Sequence, residues 1–399
     1  MLRHDLPQAV VVEILSRLPV KSLMRFNCVH KSWYALMRSH HFITKHHKFA
    51  TSNNLGRGVL FKYRSSKGHL CVSLLSNDTL EVSRDVDLLS LFPDKIDYLP
   101  CIYGPCNGIF LLQGLYKMGD NAEDLVLWNP ATRETKVLPK IKRGCRYNSG
   151  KHLDCKFGFG IDPNTNDYKV VRIVDCHGCR QQPQFEVYNL STDSWRVIDR
   201  SPSKLYNIHS SRFPSYLNGF HHWKAAEVYM KARGKGWMFP EHGPTRMFIV
   251  SFDMSNEVFL ETPLPTVPCA LGSLKKDIAV INDSVSLIVG YCGTRNLRNG
   301  WFDIWVMSSE IGVERTWTKK FKVEGSGLEF ADRLLEIRED GLVILHKIDG
   351  SMAVYDRKTQ ELRKFAKYGN HCYECLAVTY TETLAFMNGG GNISNKTNS

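Results

Sequence analysis

The first 55 residues contain no glycine, and only Pro7 and Pro19 interrupt them, although the whole chain of 399 residues holds 29 glycines and 16 prolines. Turn-rich β structure is therefore excluded from that stretch, and helix is left. Also missing is any apolar run of about 18 residues or more, so no helix is expected to span a membrane. The opening Met1-Leu2-Arg3-His4-Asp5-Leu6-Pro7 lacks the apolar core of a secretory leader. A cytoplasmic location is expected, with the nucleus as the other compartment open to the chain. The twelve cysteines make no tight framework and read as reduced thiols. No phosphate-cradling loop, His-Glu-x-x-His pair or nucleophile elbow occurs. The expectation is a protein without catalytic residues or cofactor, working by positioning other molecules.

Acidic residues are scarce at one end. Between Met1 and Lys48 stand Arg3, Arg17, Lys21, Arg25, Lys31, Arg38, Lys45 and Lys48, opposed only by Asp5 and Glu13. That segment carries 8 − 2 = +6 of a formal total of +12, leaving 12 − 6 = +6 for everything else. The body is nearly balanced, which argues against a nucleic-acid surface spread over the whole protein. The concentrated charge suggests an acidic partner for the N-terminal segment.

The segment reads as three short helices. Pro7 suits a first helical turn, where a missing N–H costs nothing. Val11, Ile14, Leu15 and Leu18 recur at helical spacing. Pro19 ends that helix and opens a second, carrying Leu23 and Phe26. A third places Val29, Trp33 and Met37 on one face. About 40 residues cannot make an independent core, so the apolar surface left over must meet a partner chain or the following domain. The composition shift puts the boundary near residues 49–56. The expected domains are a helical module at 1–48, a β domain at 56–388 and a glycine- and asparagine-rich disordered tail at 389–399.

Beyond Gly56 one pattern repeats. An alternating strand ends in or near an aromatic residue, Asn or Asp starts a turn, and an apolar residue resumes the return strand. The copies are Val126-Leu127-Trp128-Asn129, Phe185-Glu186-Val187-Tyr188-Asn189, Phe248-Ile249-Val250-Ser251-Phe252-Asp253 and Met352-Ala353-Val354-Tyr355-Asp356. A looser copy is Ile304-Trp305-Val306-Met307, and an earlier candidate surrounds Ser76-Asn77-Asp78-Thr79. Asn107-Gly108, Asn218-Gly219 and Asp340-Gly341 each open a strand, as hairpin turns do. Hairpins repeating every 50 residues or so predict a β-propeller, here of about six blades. A β-sandwich is the competing fold. The fold class is thus mainly β with a small α-helical N-terminal module.

Leu6-Pro7, then Val11-Val12-Glu13-Ile14-Leu15-Ser16-Arg17-Leu18-Pro19-Val20-Lys21-Ser22-Leu23-Met24-Arg25-Phe26, then Cys28-Val29-His30-Lys31-Ser32-Trp33, closely resemble the F-box of plant proteins. The remainder resembles an F-box-associated, kelch-like propeller through Gly104-Pro105-Cys106-Asn107-Gly108, Asn129-Pro130-Ala131-Thr132-Arg133, Phe157-Gly158-Phe159-Gly160 and Val187-Tyr188-Asn189-Leu190-Ser191-Thr192-Asp193-Ser194-Trp195. Together these look most like the S-locus F-box group of flowering plants, which acts in pollen self-incompatibility. The resemblance implies a substrate-recognition subunit of an SCF-type cullin ubiquitin ligase. Its partners would be an acidic Skp-type adaptor, a cullin scaffold reached through that adaptor, and a protein target. In the S-locus group that target is thought to be a non-self stylar ribonuclease. It also implies that Leu6, Pro7, Ile14, Leu15, Leu18, Pro19, Leu23, Phe26, Val29 and Trp33 make the adaptor interface and its supporting core. The competing function is an adaptor-bound scaffold or nucleic-acid binder without ubiquitin transfer.

Target contacts are expected on the loops between strands. The long candidates are Lys140–Lys156, Cys176–Gln184, Pro202–Pro214, Lys231–Thr245 and Thr294–Gly300, expected in part to share one face. Tyr147, Arg212, Trp237 and Arg298 are the aromatic and arginine anchors expected there. Cys176-His177-Gly178-Cys179 and Cys372-Tyr373-Glu374-Cys375 have zinc-knuckle spacing, but their distance in sequence favours free thiols, and no metal is expected. His221 and His222 alternate across one strand, so they read as packed histidines rather than joint ligands.

Overall fold

The computed structural model describes residues 6–387 apart from 65–69, 94–95, 97, 116–123, 141–152, 177–182, 200–201, 203–205, 212, 228–229, 234–236, 241–245, 268–273, 292–300, 309–314, 325–327, 329–330, 348, 350 and 368–374. The expected tail at 389–399 lies outside them.

Four helices come first among the described residues: α1 (Gln8–Leu15), α2 (Val20–Phe26), α3 (Lys31–Met37) and α4 (His40–Ser52). The three expected helices are joined by α4, which leads into the first strand at Arg57. Pro7 and Pro19 cap the first two. The Pro7 carbonyl accepts from Val10 N at 2.9 Å, and the Pro19 carbonyl from Ser22 N at 2.9 Å. Ser39 Oγ accepts from Phe42 N at the start of α4, a side-chain cap that satisfies one of the unpaired donors there. None of these helices is long and apolar enough to cross a membrane.

Six antiparallel sheets follow among the described residues and form the blades, five of them four-stranded and the sheet of blade 4 five-stranded, with the short strand Tyr216–Leu217 added beside its long ones. Blade 1 orders its strands, from the axis outward, as Leu376–Thr381, Arg57–Arg64, Leu70–Ser76 and Val82–Val86. The last strand of the chain thus supplies the innermost strand of the first blade, with Arg57 opposite Thr381 and Lys62 opposite Leu376. Blades 2, 3, 5 and 6 each run inside to outside in chain order, starting at Tyr98–Cys106, Leu153–Ile161, Leu274–Ile281 and Ala331–Ile337. Blade 4 begins with Tyr206–His209 and carries an extra hairpin, Met230–Arg233 with Trp237–Pro240, between its second and third long strands.

Apolar clusters fill the gaps between neighbouring blades all round the ring. Phe110 and Trp128 of blade 2 meet Val378 and Tyr380 of blade 1, and Phe157 and Tyr168 of blade 3 meet Leu111 and Leu127 of blade 2. The series continues through Trp223, Ile249 and Leu287, and Ile304 and Val343, to Phe61 and Ile344, which close the circle. Burial falls toward the rim. Leu125–Asn129 is buried at every position, whereas the outer strands expose Val82, Val137, Val197 and Leu260.

In three of the repeated turns the first side chain accepts from the backbone two residues on, whereas at Asn189 that place is taken by Asp167 Oδ1, which accepts from Ser191 N. Asn129 Oδ1 accepts from Ala131 N, Asp253 Oδ1 from Ser255 N and Asp356 Oδ1 from Lys358 N. Four residues after the turn start, Leu80, Arg133, Asp193, Glu257 and Gln360 all take positive φ. In Phe157-Gly158-Phe159-Gly160 the glycines admit rings from blade 4. A Cβ on Gly158 would lie 2.5 Å from Trp223, and one on Gly160 2.3 Å from Tyr216. Trp223 Nε1 then reaches Phe157 O at 3.1 Å and Tyr216 OH reaches Ile161 O at 2.7 Å.

Candidate functional site

The helical module has an inside and an outside. Leu15, Val20, Leu23, Met37 and Phe42 form its core. Leu384, which follows the closing strand of the propeller, joins the same core and is buried. The segment after Thr381 is held on its other side by Asn129 of blade 2, whose Nδ2 donates to Thr383 O at 3.0 Å and Ala385 O at 3.1 Å. The Arg38 guanidinium lies 4.3 Å above the Phe386 ring. The chain end therefore straps the helices to the ring. The expectation that these helices cannot hide their apolar residues alone is met partly in this way.

The outside remains apolar. Leu6 is 61% exposed, Val10 42%, Ile14 49%, Val29 61% and Tyr34 43%. The position of each expected adaptor residue follows. Leu6, Pro7, Ile14, Pro19 and Val29 are exposed; Leu18, Phe26 and Trp33 are half-buried; Leu15 and Leu23 are core. Phe26 and Trp33 pack edge to face at 5.8 Å. The stripe read from spacing is thus split: Leu15 turns in and its neighbour Ile14 turns out. Val10 and Tyr34, exposed as well, were not among the expected residues. The signal for Val10 was the four-residue step linking it to Leu6 and Ile14.

Charge flanks these side chains. Glu13 receives Arg17 and Lys45, each at 2.6 Å, and the Lys45 hydrogen bond, followed by that of Arg17, holds its carboxyl below the ordinary range. Lys21, Arg25, Lys31, Arg38 and Lys48 are exposed, so the module's surface is cationic around an apolar outside.

The propeller has two ends that differ. The inner strands of blades 2 and 3 finish toward the helices: Asn107-Gly108 presses on Thr381 O, and Asn166 Nδ2 bonds His40 Nε2 at 2.6 Å. The connections that join the second strand of a blade to its third, and one blade to the next, consequently lie at the opposite end. Lys140–Lys156, Cys176–Gln184 and Lys231–Thr245 bridge strands joined in that way, Pro202–Pro214 contains the inner strand Tyr206–His209 of blade 4, and Thr294–Gly300 lies outside the described residues. Of the four anchors, Tyr147, Arg212 and Arg298 lie outside the described residues. Trp237 opens the second strand of the extra hairpin, with its side chain outside the described set.

The two neighbouring histidines have structural roles. His221 Nδ1 lies 3.3 Å from Phe159 N and 3.3 Å from Phe159 O, and His222 Nδ1 meets Ser251 Oγ at 2.8 Å. Burial pushes the two imidazoles down, to about 4 and about 3, and keeps them neutral. Cys375 is buried, while the other three cysteines of the Cys-x-x-Cys pairs fall on side chains outside the described residues. Among the described residues no group of three or more His, Cys, Asp or Glu could hold a metal.

Comparison with known proteins agrees with this arrangement. An F-box/kelch-repeat protein of Arabidopsis thaliana is 31% identical over 363 residues, covering 88% of this chain and 88% of its own. A putative F-box protein of the same plant is 27% identical, covering 81% of this chain and 75% of its own. The Arabidopsis F-box protein CPR1 is 26% identical, covering 80% and 73%. The F-box domain model matches residues 4–45, and the F-box associated beta propeller domain model matches residues 69–383. The chain belongs to the family of F-box proteins that carry an F-box-associated β-propeller.

Proposed function

We propose that this protein is the non-catalytic substrate receptor of an SCF-type ubiquitin ligase, gripping a Skp-type adaptor with its helices and a target with its propeller. The observation that carries the reading is the apolar outside of the helical module, Leu6, Val10, Ile14, Val29 and Tyr34, on a domain matched as an F-box. Large side chains left exposed in this density mark an interaction surface. Trp33 and Phe26 beneath them supply rigid aromatic bulk, which often dominates interface energy. The surrounding lysines and arginines suit the acidic adaptor expected for this family. Leu6, Pro7, Ile14, Leu18, Pro19, Phe26, Val29 and Trp33 are the proposed contact set, with Leu15 and Leu23 beneath it.

The strap makes positioning rigid. A target held at the far end of the ring keeps a fixed direction from the adaptor, which is what delivery of activated ubiquitin to target lysines requires. The finer reading, that the target is a non-self stylar ribonuclease, rests on the S-locus resemblance of the strand motifs. Tyr147, Arg212, Trp237 and Arg298 remain the proposed target anchors.

The test is reconstitution with a plant Skp-type adaptor and cullin. The receptor should co-purify with the adaptor, and Val10→Asp with Ile14→Asp should abolish that while leaving the melting temperature unchanged. Unimpaired adaptor binding in the double variant would sink the assignment. Stable assembly without target ubiquitination would point to the scaffold function instead. Binding of labelled stylar ribonuclease, self against non-self, tests the finer reading.

A further inference from the structure

The strap, residues 382–387, divides its side chains between two cores. Leu384 is buried among Leu15, Val20, Leu23, Met37 and Phe42, which come from all four helices. Among the described residues it is the one buried member of that core from outside the helical module. Phe386, two residues on, also faces the module, under the Arg38 guanidinium. Ala385 and Met387 turn the other way, into the cluster between blades 2 and 3 with Leu111, Leu127 and Phe157. Extended chain sends alternate side chains to opposite sides, and here that alternation joins the helices to the ring.

The strap takes this place because the ring is closed. It continues from the closing strand, whose Thr381 pairs with Arg57. Glu382 N donates to Gly56 O at 2.9 Å, where the chain leaves α4 for the first strand. At its other end Met387 N donates to Glu134 Oε1 of blade 2 at 3.3 Å. Both helices that carry the exposed apolar side chains lean on it. Leu15 shares the core with Leu384 while its neighbour Ile14 faces out. On α3 the Arg38 guanidinium lies 4.6 Å over the exposed Tyr34 ring and 4.3 Å over that of Phe386.

We propose that this strap couples adaptor docking to closure of the ring, with Leu384 and Phe386 as positioning residues of the adaptor site. The inference rests on the receptor function above and adds what controls that same surface. Helices as short as seven residues are marginal alone. Their core holds six buried side chains, of which Leu384 is one, so its loss is felt by every helix. Ile14 and Tyr34 then lose the fixed relative placement that an interface needs. If the helices stand correctly only a tenth of the time without the strap, the apparent Kd rises about tenfold. The coupling is reciprocal, so a bound adaptor must in turn hold the strap and the closing strand more firmly.

The experiment uses the full chain and a Skp-type adaptor. Leu384→Ala and Phe386→Ala should each weaken binding, the first by about tenfold. The loss should appear as slower association with dissociation unchanged, because fewer molecules are competent while the contacts themselves are intact. Leu384→Met should restore binding. A chain ending at Thr381, which keeps the closing strand, should retain a folded propeller and bind as weakly as Leu384→Ala or worse. Hydrogen exchange on the unaltered chain gives a reading that needs no variant. Saturating adaptor should slow exchange of the Ala385 and Met387 amides several-fold. Unchanged association in Leu384→Ala, a loss seen only as faster dissociation, or strap exchange indifferent to adaptor would overturn the coupling while leaving the receptor function standing. Absence of adaptor binding by the unaltered chain would overturn the receptor function and the coupling with it.

Discussion

Gly108 has no room for a methyl group. Its φ is +76°, and a Cβ there would lie 2.3 Å from Thr381 O on the closing strand. Gly108→Ala is expected to cost about 1–3 kcal/mol, read as a lower urea midpoint. The Asn107-Gly108 turn was plain in the sequence, but its pressure on a strand more than 270 residues away was not, because only closure of the ring brings them together. The buried pair His221 and His222 gives a pH dependence. The unfolded imidazole titrates near 6.5, the folded ones near about 4 and about 3. Below pH 6.5 the unfolded chain takes up protons that the folded chain refuses. Stability should therefore fall as pH drops, by roughly 1.4 kcal/mol per pH unit for each histidine. His222→Asn, which can keep a bond to Ser251, should show a shallower loss between about pH 6.5 and about pH 4 in denaturant titrations.

At the scale of an element, α1 shows how adjacent residues divide between two tasks. Leu15→Ala should destabilise the helical module by about 2–5 kcal/mol, since Leu15 is core. Ile14→Asp, on the exposed side, should leave melting unchanged and weaken adaptor binding by about tenfold or more. Surface plasmon resonance and calorimetry on the two variants separate the effects. The spacing of Val11, Ile14, Leu15 and Leu18 made a helix legible. Which of them faced inward was not, because that depends on where α4 and the strap pack. Leu384 makes the same point from the other side. Leu384→Asp would place a charge in the module core, and it should release the helices from the ring. The expected readout is rapid proteolysis near residues 53–56 with the propeller still resistant.

The whole molecule depends on its last strand. Ending the chain before Leu376 removes the inner strand of blade 1 and leaves Arg57–Arg64 as an open edge, which invites aggregation. Such a truncation should be insoluble, whereas a chain ending at Met387 should keep the full melting temperature. A soluble, monodisperse product from the shorter truncation, with unchanged melting, would argue that the ring does not need closing.

The sequence alone determined the helical start, the β body and its repeat of about 50 residues, because each rests on local rules. Glycine and proline usage separates the two parts, and an Asn or Asp turn ends the third strand in four of the six blades. Tertiary structure decided three things. It turned Ile14 outward and Leu15 inward, it carried Leu384 from the chain end into the first domain's core, and it set Phe386 under Arg38 of α3. All three rest on contacts between residues far apart in the chain, set by where the ring closes and what packs upon it, and no spacing within a strand or helix encodes that.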